Sequence, residues 1–181
     1  MKKENMEVNT KSMNKAVKCA LDAYKNFKGL CKRSDNLIVV DYTQPSFKKR
    51  LHVVDIKSKE VLRSYHVAHG EGSSDPHNTA YAIRFSDRNE SHMSSLGAMV
   101  TDDTYFGKHG YSMRLNGLES SNSSVRRRCI VVHSALYVTE AYILKKGRAG
   151  QSWGCPAVDP AISNALIQEN KGGVFFFAYY E

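Results

Sequence analysis

No stretch of this chain approaches the roughly 20 apolar residues needed to span a bilayer as a helix, so no integral membrane segment is expected within it. Its four cysteines, Cys19, Cys31, Cys129 and Cys155, form no CxxC pair, which argues against a structural zinc site. A Cys19–Cys31 disulfide remains open, because spacing alone cannot establish one. There are no internal repeats and no zinc-finger or RNP-type motif. The amino terminus is basic but lacks the apolar core of a signal peptide.

What is present bounds the rest. At 181 residues and 41% hydrophobic composition, the chain can bury one core and has little room for two. Ten Tyr, seven Phe and many Val/Ile pairs lean toward β structure. The net charge is +8, but residues 1–33 hold nine Lys/Arg against three Asp/Glu, so +6 of it lies there. A basic start on a near-neutral body gives little support to a nucleic-acid partner, and none is expected. Attraction to another anionic polymer or surface is equally compatible.

The chemistry-bearing stretch is Gln151-Ser152-Trp153-Gly154-Cys155-Pro156, read with His133. A cysteine becomes a strong nucleophile as a thiolate, and a nearby imidazole is the usual means. Gly154 permits close backbone approach and Pro156 fixes the chain beyond the sulfur. Cys129, by contrast, opens the apolar run Ile130-Val131-Val132, which His133 ends. The strand so formed places Cys129 and His133 on one face, about 13 Å apart at roughly 3.3 Å per residue. A buried structural cysteine and a hydrogen-bonded histidine are the plain alternatives. If the pair is catalytic, thiol reagents should label Cys155 first.

Taken in order, residues 1–11 form a flexible polar tail, and 12–181 a single domain. Apolar residues from Met13 to Phe27 recur at helical spacing, with Ser12 as N-cap and Gly29 as the stop. Strands are expected at Leu37–Tyr42, Arg50–Ile56 and Val61–Ala68, followed by a loop at His69–Pro76. His52 and His66 read as structural, whereas His69, at a strand-to-loop boundary, is a candidate site residue. Ser94–Thr101 is extended, and Gly107–Ser112 is a turn presenting His109. Helices are expected at Tyr137–Lys146 and Pro160–Asn170. Val174–Tyr180, almost continuously aromatic, is a central strand. The class is α+β and β-rich, with short peripheral helices.

Ser152-Trp153-Gly154-Cys155-Pro156, with His133 upstream, resembles the YkuD-type L,D-transpeptidase catalytic domain, in its SWGCP branch. Val67-Ala68-His69-Gly70, Ser95-Leu96-Gly97, Gly107 to Leu115, and Gly117-Leu118-Glu119 are similar to it as well. The resemblance implies cysteine acyl transfer on peptidoglycan stem peptides, as donor and acceptor, with no cofactor and no metal. Cys155 would form a thioester and His133 would act as base and then acid. The Gly154 and Cys155 N–H groups would hold the oxyanion. Substrate-binding positions would be Ser152, Trp153, His109, Tyr111, Arg114, His69 and Ser95, with Arg114 or Lys108 meeting a stem carboxylate. Loops 69–76 and 105–111 would form the acceptor groove. Gln151 stands where an arginine, and Ser134 where a glycine, is usual in that family. The likeness implies a cell-envelope or periplasmic location, reached after signal removal or by another export route. An L,D-carboxypeptidase, delivered as a wall-targeting toxin, is the alternative.

Overall fold

The computed structural model describes residues 14–181; the expected tail and the Ser12 cap lie outside them. The first helix, α1 (Lys15–Phe27), is capped by Asn14, whose side chain accepts from the Ala16 N–H at 2.8 Å. That satisfies one of the donors a helix start leaves unpaired. Eight strands follow: β1 (Asn36–Asp41), β2 (Leu51–Asp55), β3 (Val61–Tyr65), β4 (Gly97–Gly107), β5 (Gly110–Gly117), β6 (Val131–Ser134), β7 (Ala157–Val158) and β8 (Phe175–Tyr179). Helices α2 (Glu140–Lys146) and α3 (Pro160–Asn170) lie between β6 and β8.

One sheet orders these as β3-β2-β1-β8-β4-β5-β6-β7. The aromatic strand β8 is central, parallel to β1 and antiparallel to β4. Side-chain alternation with period two then divides the apolar residues. Ile38, Val40, Met99, Phe176 and Ala178 face an inner core shared with Met113, Leu115 and Val132. Leu37, Val39, Ala98 and Phe175 face outward, where Ala16, Val17, Ala20, Leu21 and Tyr24 of α1 cover them. The apolar stripe of α1 thus packs on the domain, and Tyr24 meets Phe175 edge to face at 5.6 Å.

The sheet curls until its ends nearly meet. Val67, just past edge strand β3, bridges Val158 of edge strand β7, and the Ala68 N–H donates to the Ala157 carbonyl at 2.9 Å. This closure removes part of two exposed edges. It is held by Arg50, which is completely buried. Its guanidinium donates to the Val67 carbonyl at 3.2 and 3.0 Å, to the Gln44 carbonyl at 2.8 Å, and to His69 Nδ1 at 2.8 Å. It also lies 5.1 Å from the centroid of the Tyr42 ring.

Three local expectations change. The strand expected from Cys129 begins only at Val131; Cys129 is exposed, with φ 55°. A left-handed residue cannot continue a strand, so the 13 Å estimate along one strand face does not apply. The helix expected from Tyr137 begins at Glu140, because the Thr139 hydroxyl accepts from the Tyr142 N–H at 3.2 Å and caps it there. The turn at 107–112 is a two-residue hairpin tip, Lys108-His109, between paired Gly107 and Gly110. All four cysteines are free thiols.

Replacing Arg50 by Met keeps the buried volume but strips the partners from two carbonyls and an imidazole nitrogen. Each buried group left unsatisfied costs about 1–3 kcal/mol. Arg50→Met is therefore expected to lose about 3 kcal/mol or more in chemical denaturation; a loss under about 0.5 kcal/mol would contradict this role.

Candidate active site

The loop that carries Cys155, the candidate nucleophile, is built between two fixed stems. On one side Ala157 of β7 pairs with His133 of β6, in parallel register. On the other, Ser152 bridges Gly70: its N–H donates to the His69 carbonyl at 3.0 Å, and its carbonyl accepts from the Glu71 N–H at 2.8 Å. Within the loop, the Ser152 hydroxyl donates to the Cys155 carbonyl at 2.6 Å and accepts from the Gly154 N–H at 3.1 Å. Gly154 has φ 108°, and a Cβ there would lie 2.6 Å from the Met93 carbonyl oxygen. Gly70 is equally constrained, since its Cβ would lie 2.2 Å from the His92 carbonyl oxygen and 2.9 Å from the Gly154 backbone. Three backbone segments therefore cross where only glycine fits.

Above this crossing sits Arg128, whose side chain is 3% exposed. It donates to Ser86 O (2.9 Å), Ser95 Oγ (2.8 Å), Ser91 Oγ (3.1 Å) and Met93 O (2.7 Å), and Asp87 lies 3.5 Å away. It clamps segment 86–95 onto the nucleophile loop.

Cys155 and His133 line one cavity of about 400 Å³, together with Tyr105, Lys108, His109, Arg128, Tyr137, Gln151 and Trp153. The Cys155 thiol donates to the Cys129 carbonyl at 3.6 Å and accepts from the Val131 N–H at 3.5 Å. His133 Nδ1 lies 2.9 Å from the Ser134 carbonyl. A carbonyl can only accept, so Nδ1 carries the proton and Nε2 is left with its lone pair free. Sequence gave no means of identifying that orienting group. His109 stacks on His133, with centroids 4.3 Å apart.

Burial pushes the Cys155 thiol above its ordinary value, against the Val131 N–H and the Arg128 and Lys108 charges, which act the other way. Burial likewise pushes His133 down; the Ser134 carbonyl opposes this, while His109 and Lys108 add to it. Desolvation disfavours the charged form in both cases. At neutral pH the resting pair is a thiol and a neutral imidazole lining one cavity.

The expected site residues divide accordingly. Cys155, His133, His109 and Trp153 meet at the cavity. Trp153 is 65% exposed and stacks on His92 at 4.5 Å, a partner the sequence reading missed. Ser152 touches the cavity, but its hydroxyl is a strut of the loop. His69 is buried between Arg50 and Ser74, its pKa pushed down to about 3 by burial, so it is a neutral structural group. Ser95 serves Asp87 and Arg128. Tyr111 opposes Phe106 across the hairpin and bonds Gln168 at 2.9 Å, away from the cavity. Arg114 pairs with Asp103 and lies over Tyr105 at 4.1 Å. Gly154, expected as an oxyanion donor, already spends its N–H on Ser152; the Cys155 N–H has no partner among the described residues. Of the two loops expected to form a groove, 105–111 reaches the cavity through Tyr105, Lys108 and His109, and 69–76 does not. Among the described residues no group of three or more His, Cys, Asp or Glu is placed to hold a metal ion.

The raised thiol leads to a different labelling order from the one expected of the sequence. Exposed Cys129 should react with iodoacetamide before Cys155 at pH 7. Cys155 labelling should keep accelerating above about pH 8.5, the ordinary thiol value. Peptide mapping across a pH series checks this; Cys155 labelled first at pH 7 would refute it.

A family model described as "L,D-transpeptidase catalytic domain" matches residues 7–179. No curated protein matches. Among solved structures, the chain is similar to an L,D-transpeptidase from Mycobacterium smegmatis, at 15% identity and TM-score 0.48, covering 81% of this chain and 59% of that one. It is also similar to one from Stackebrandtia nassauensis, at 16% identity and TM-score 0.46, covering 92% of this chain and 65% of that one. This chain thus spans about three-fifths of the length of those proteins. With the family model matching nearly from end to end, the chain belongs to the L,D-transpeptidase catalytic-domain family.

Proposed function

We propose that this domain is a peptidoglycan L,D-transpeptidase working through a Cys155 thioester in the cell envelope. The observation that carries the reading is the shared cavity of Cys155 and His133, with His133 Nδ1 anchored on the Ser134 carbonyl. Cys155 attacks the carbonyl of the L-centred third residue of a tetrapeptide stem while His133 Nε2 takes the thiol proton. The oxyanion is received by the Cys155 N–H, the loop donor not already used. The imidazolium then returns its proton to the departing amine of the terminal D-residue, leaving the thioester.

Resolution reverses these steps. An acceptor amine enters where the first amine left, gives its proton to His133 and forms the new amide. Orientation of a bound acceptor favours it over water, since effective molarities reach about 10⁵ M or more. The His109 stack and the Trp153–His92 platform supply walls for such binding. Should water win instead, the same chemistry is that of an L,D-carboxypeptidase.

Two outcomes are expected. Tetrapeptide with a D-amino acid or a second stem should give mainly exchange or 3–3 cross-linked product by mass spectrometry, with tripeptide minor and both products lost in Cys155→Ala. Tripeptide alone at every acceptor concentration would replace the transferase reading by the carboxypeptidase one. The pH dependence follows from the neutral pair. His133 must be unprotonated, and its lowered pKa puts the acid limb of kcat/KM below about pH 6.5; Cys155 must keep its proton until attack, and its raised pKa puts the alkaline limb above about pH 8.5. A narrow optimum between those values would contradict this assignment.

A further inference from the structure

The cavity is unbalanced in charge. No Asp or Glu lines it, and its two cationic side chains are Lys108 and Arg128. Arg128 has both terminal nitrogens committed to segment 86–95. The nearby Arg114 and Arg126 lie outside the cavity and are neutralised by Asp102 and Asp103. Lys108 alone is free: among the described residues its ammonium makes no hydrogen bond and no ion pair. It lies 5.8 Å from the Trp153 ring centroid, within cation–π range.

Lys108 precedes His109 at the hairpin tip, and His109 stacks on His133 at 4.3 Å. On the acyl-transfer reading, on which this inference rests, His133 protonates the departing nitrogen. In a terminal amino acid the carboxylate is one carbon from that nitrogen, so it enters the same cavity as the base, where Lys108 is the one uncommitted cation among the described residues. We propose that Lys108 is the specificity-determining residue that recognises the free α-carboxylate adjacent to the reacting nitrogen. It anchors the leaving residue of the donor and, through the reverse path, the carboxylate of a free amino-acid acceptor. Burial dominates the shifts of Cys155, His133 and His109, raising the thiol and lowering the two imidazoles, and the Lys108 charge acts on all three in the lowering direction, which places it electrostatically within the site. An ammonium–carboxylate hydrogen bond is charge-assisted and stronger than one between neutral groups.

The test compares a tetrapeptide carrying a free terminal carboxylate with its carboxamide, and a free D-amino acid acceptor with its amide. The readout is the acid-to-amide ratio of kcat/KM, so that general effects of a substitution on folding or chemistry cancel. The intact protein should prefer the acid by about tenfold or more; Lys108→Met should bring the ratio near one, and Lys108→Arg should restore most of it. The donor and acceptor arms show separately which carboxylate is read. A ratio unchanged in Lys108→Met, or no preference in the unsubstituted protein, overturns the assignment. Turnover of neither donor by the unsubstituted protein would instead overturn the acyl-transfer reading beneath it.

Discussion

The buried guanidinium of Arg50 is the contact on which the active-site wall depends. Burying an unpaired cation is costly, and burial draws its pKa down to about 10, which still leaves it protonated at neutral pH. Its compensation comes from acceptors: two carbonyls, the Tyr42 ring and His69 Nδ1. Because arginine can only donate, His69 must accept at Nδ1 and carry its proton on Nε2, which meets Ser74 at 2.9 Å. The chain from Val67 to Gly70 is thereby held, and both stems of the nucleophile loop hang from it through Ala68–Ala157 and His69–Ser152. Arg50 does not line the cavity, yet it sets where Cys155 stands.

Arg128 performs the matching task from the opposite side. It binds segment 86–95 by four donors, and that segment delivers the Met93 carbonyl against Gly154. The nucleophile loop is thus compressed between two arginine-held backbones, with Gly70 and Gly154 removing the Cβ atoms that would part them. Within the loop, the Ser152 hydroxyl bonds the Gly154 N–H and the Cys155 carbonyl, leaving the Cys155 N–H without a partner among the described residues. Preorganisation of this kind spares the reaction the cost of ordering the loop during attack.

Legibility in the sequence followed the range of the forces involved. Strands β1, β2 and β8 could be read because an apolar run of β-branched and aromatic residues is a local signal, and α1 because its stripe recurs within one helix. Cys155 and His133 could be read because Gly and Pro punctuation and a strand end are local signals too. His69, Ser95, Tyr111 and Arg114 were expected at substrate because the segments that carry them resemble the family's. Each is instead consumed by a partner distant in sequence: Arg50, Arg128, Gln168 and Asp103. Conversely, Arg50 within a strand-like run and Arg128 in a basic cluster gave no sign of burial. Their function exists only once the closure of the sheet supplies acceptors.

The neutral thiol–imidazole pair fits transfer better than it first suggests. A thiolate pre-formed by a strong charge would be abundant but weakly nucleophilic, since nucleophilicity falls with thiol pKa. On the proposed acyl-transfer reading, raising the Cys155 pKa by burial makes the thiolate scarce and more reactive, and His133 would supply it only when a carbonyl is in place. It also makes the sulfur a poorer leaving group, so the resulting thioester is less activated toward adventitious water. An acceptor amine brought beside His133 has orientation to offset that loss, whereas unbound water has none. Burial of the nucleophile thus works in the same direction as the carboxylate recognition assigned to Lys108: both favour a bound partner over the solvent.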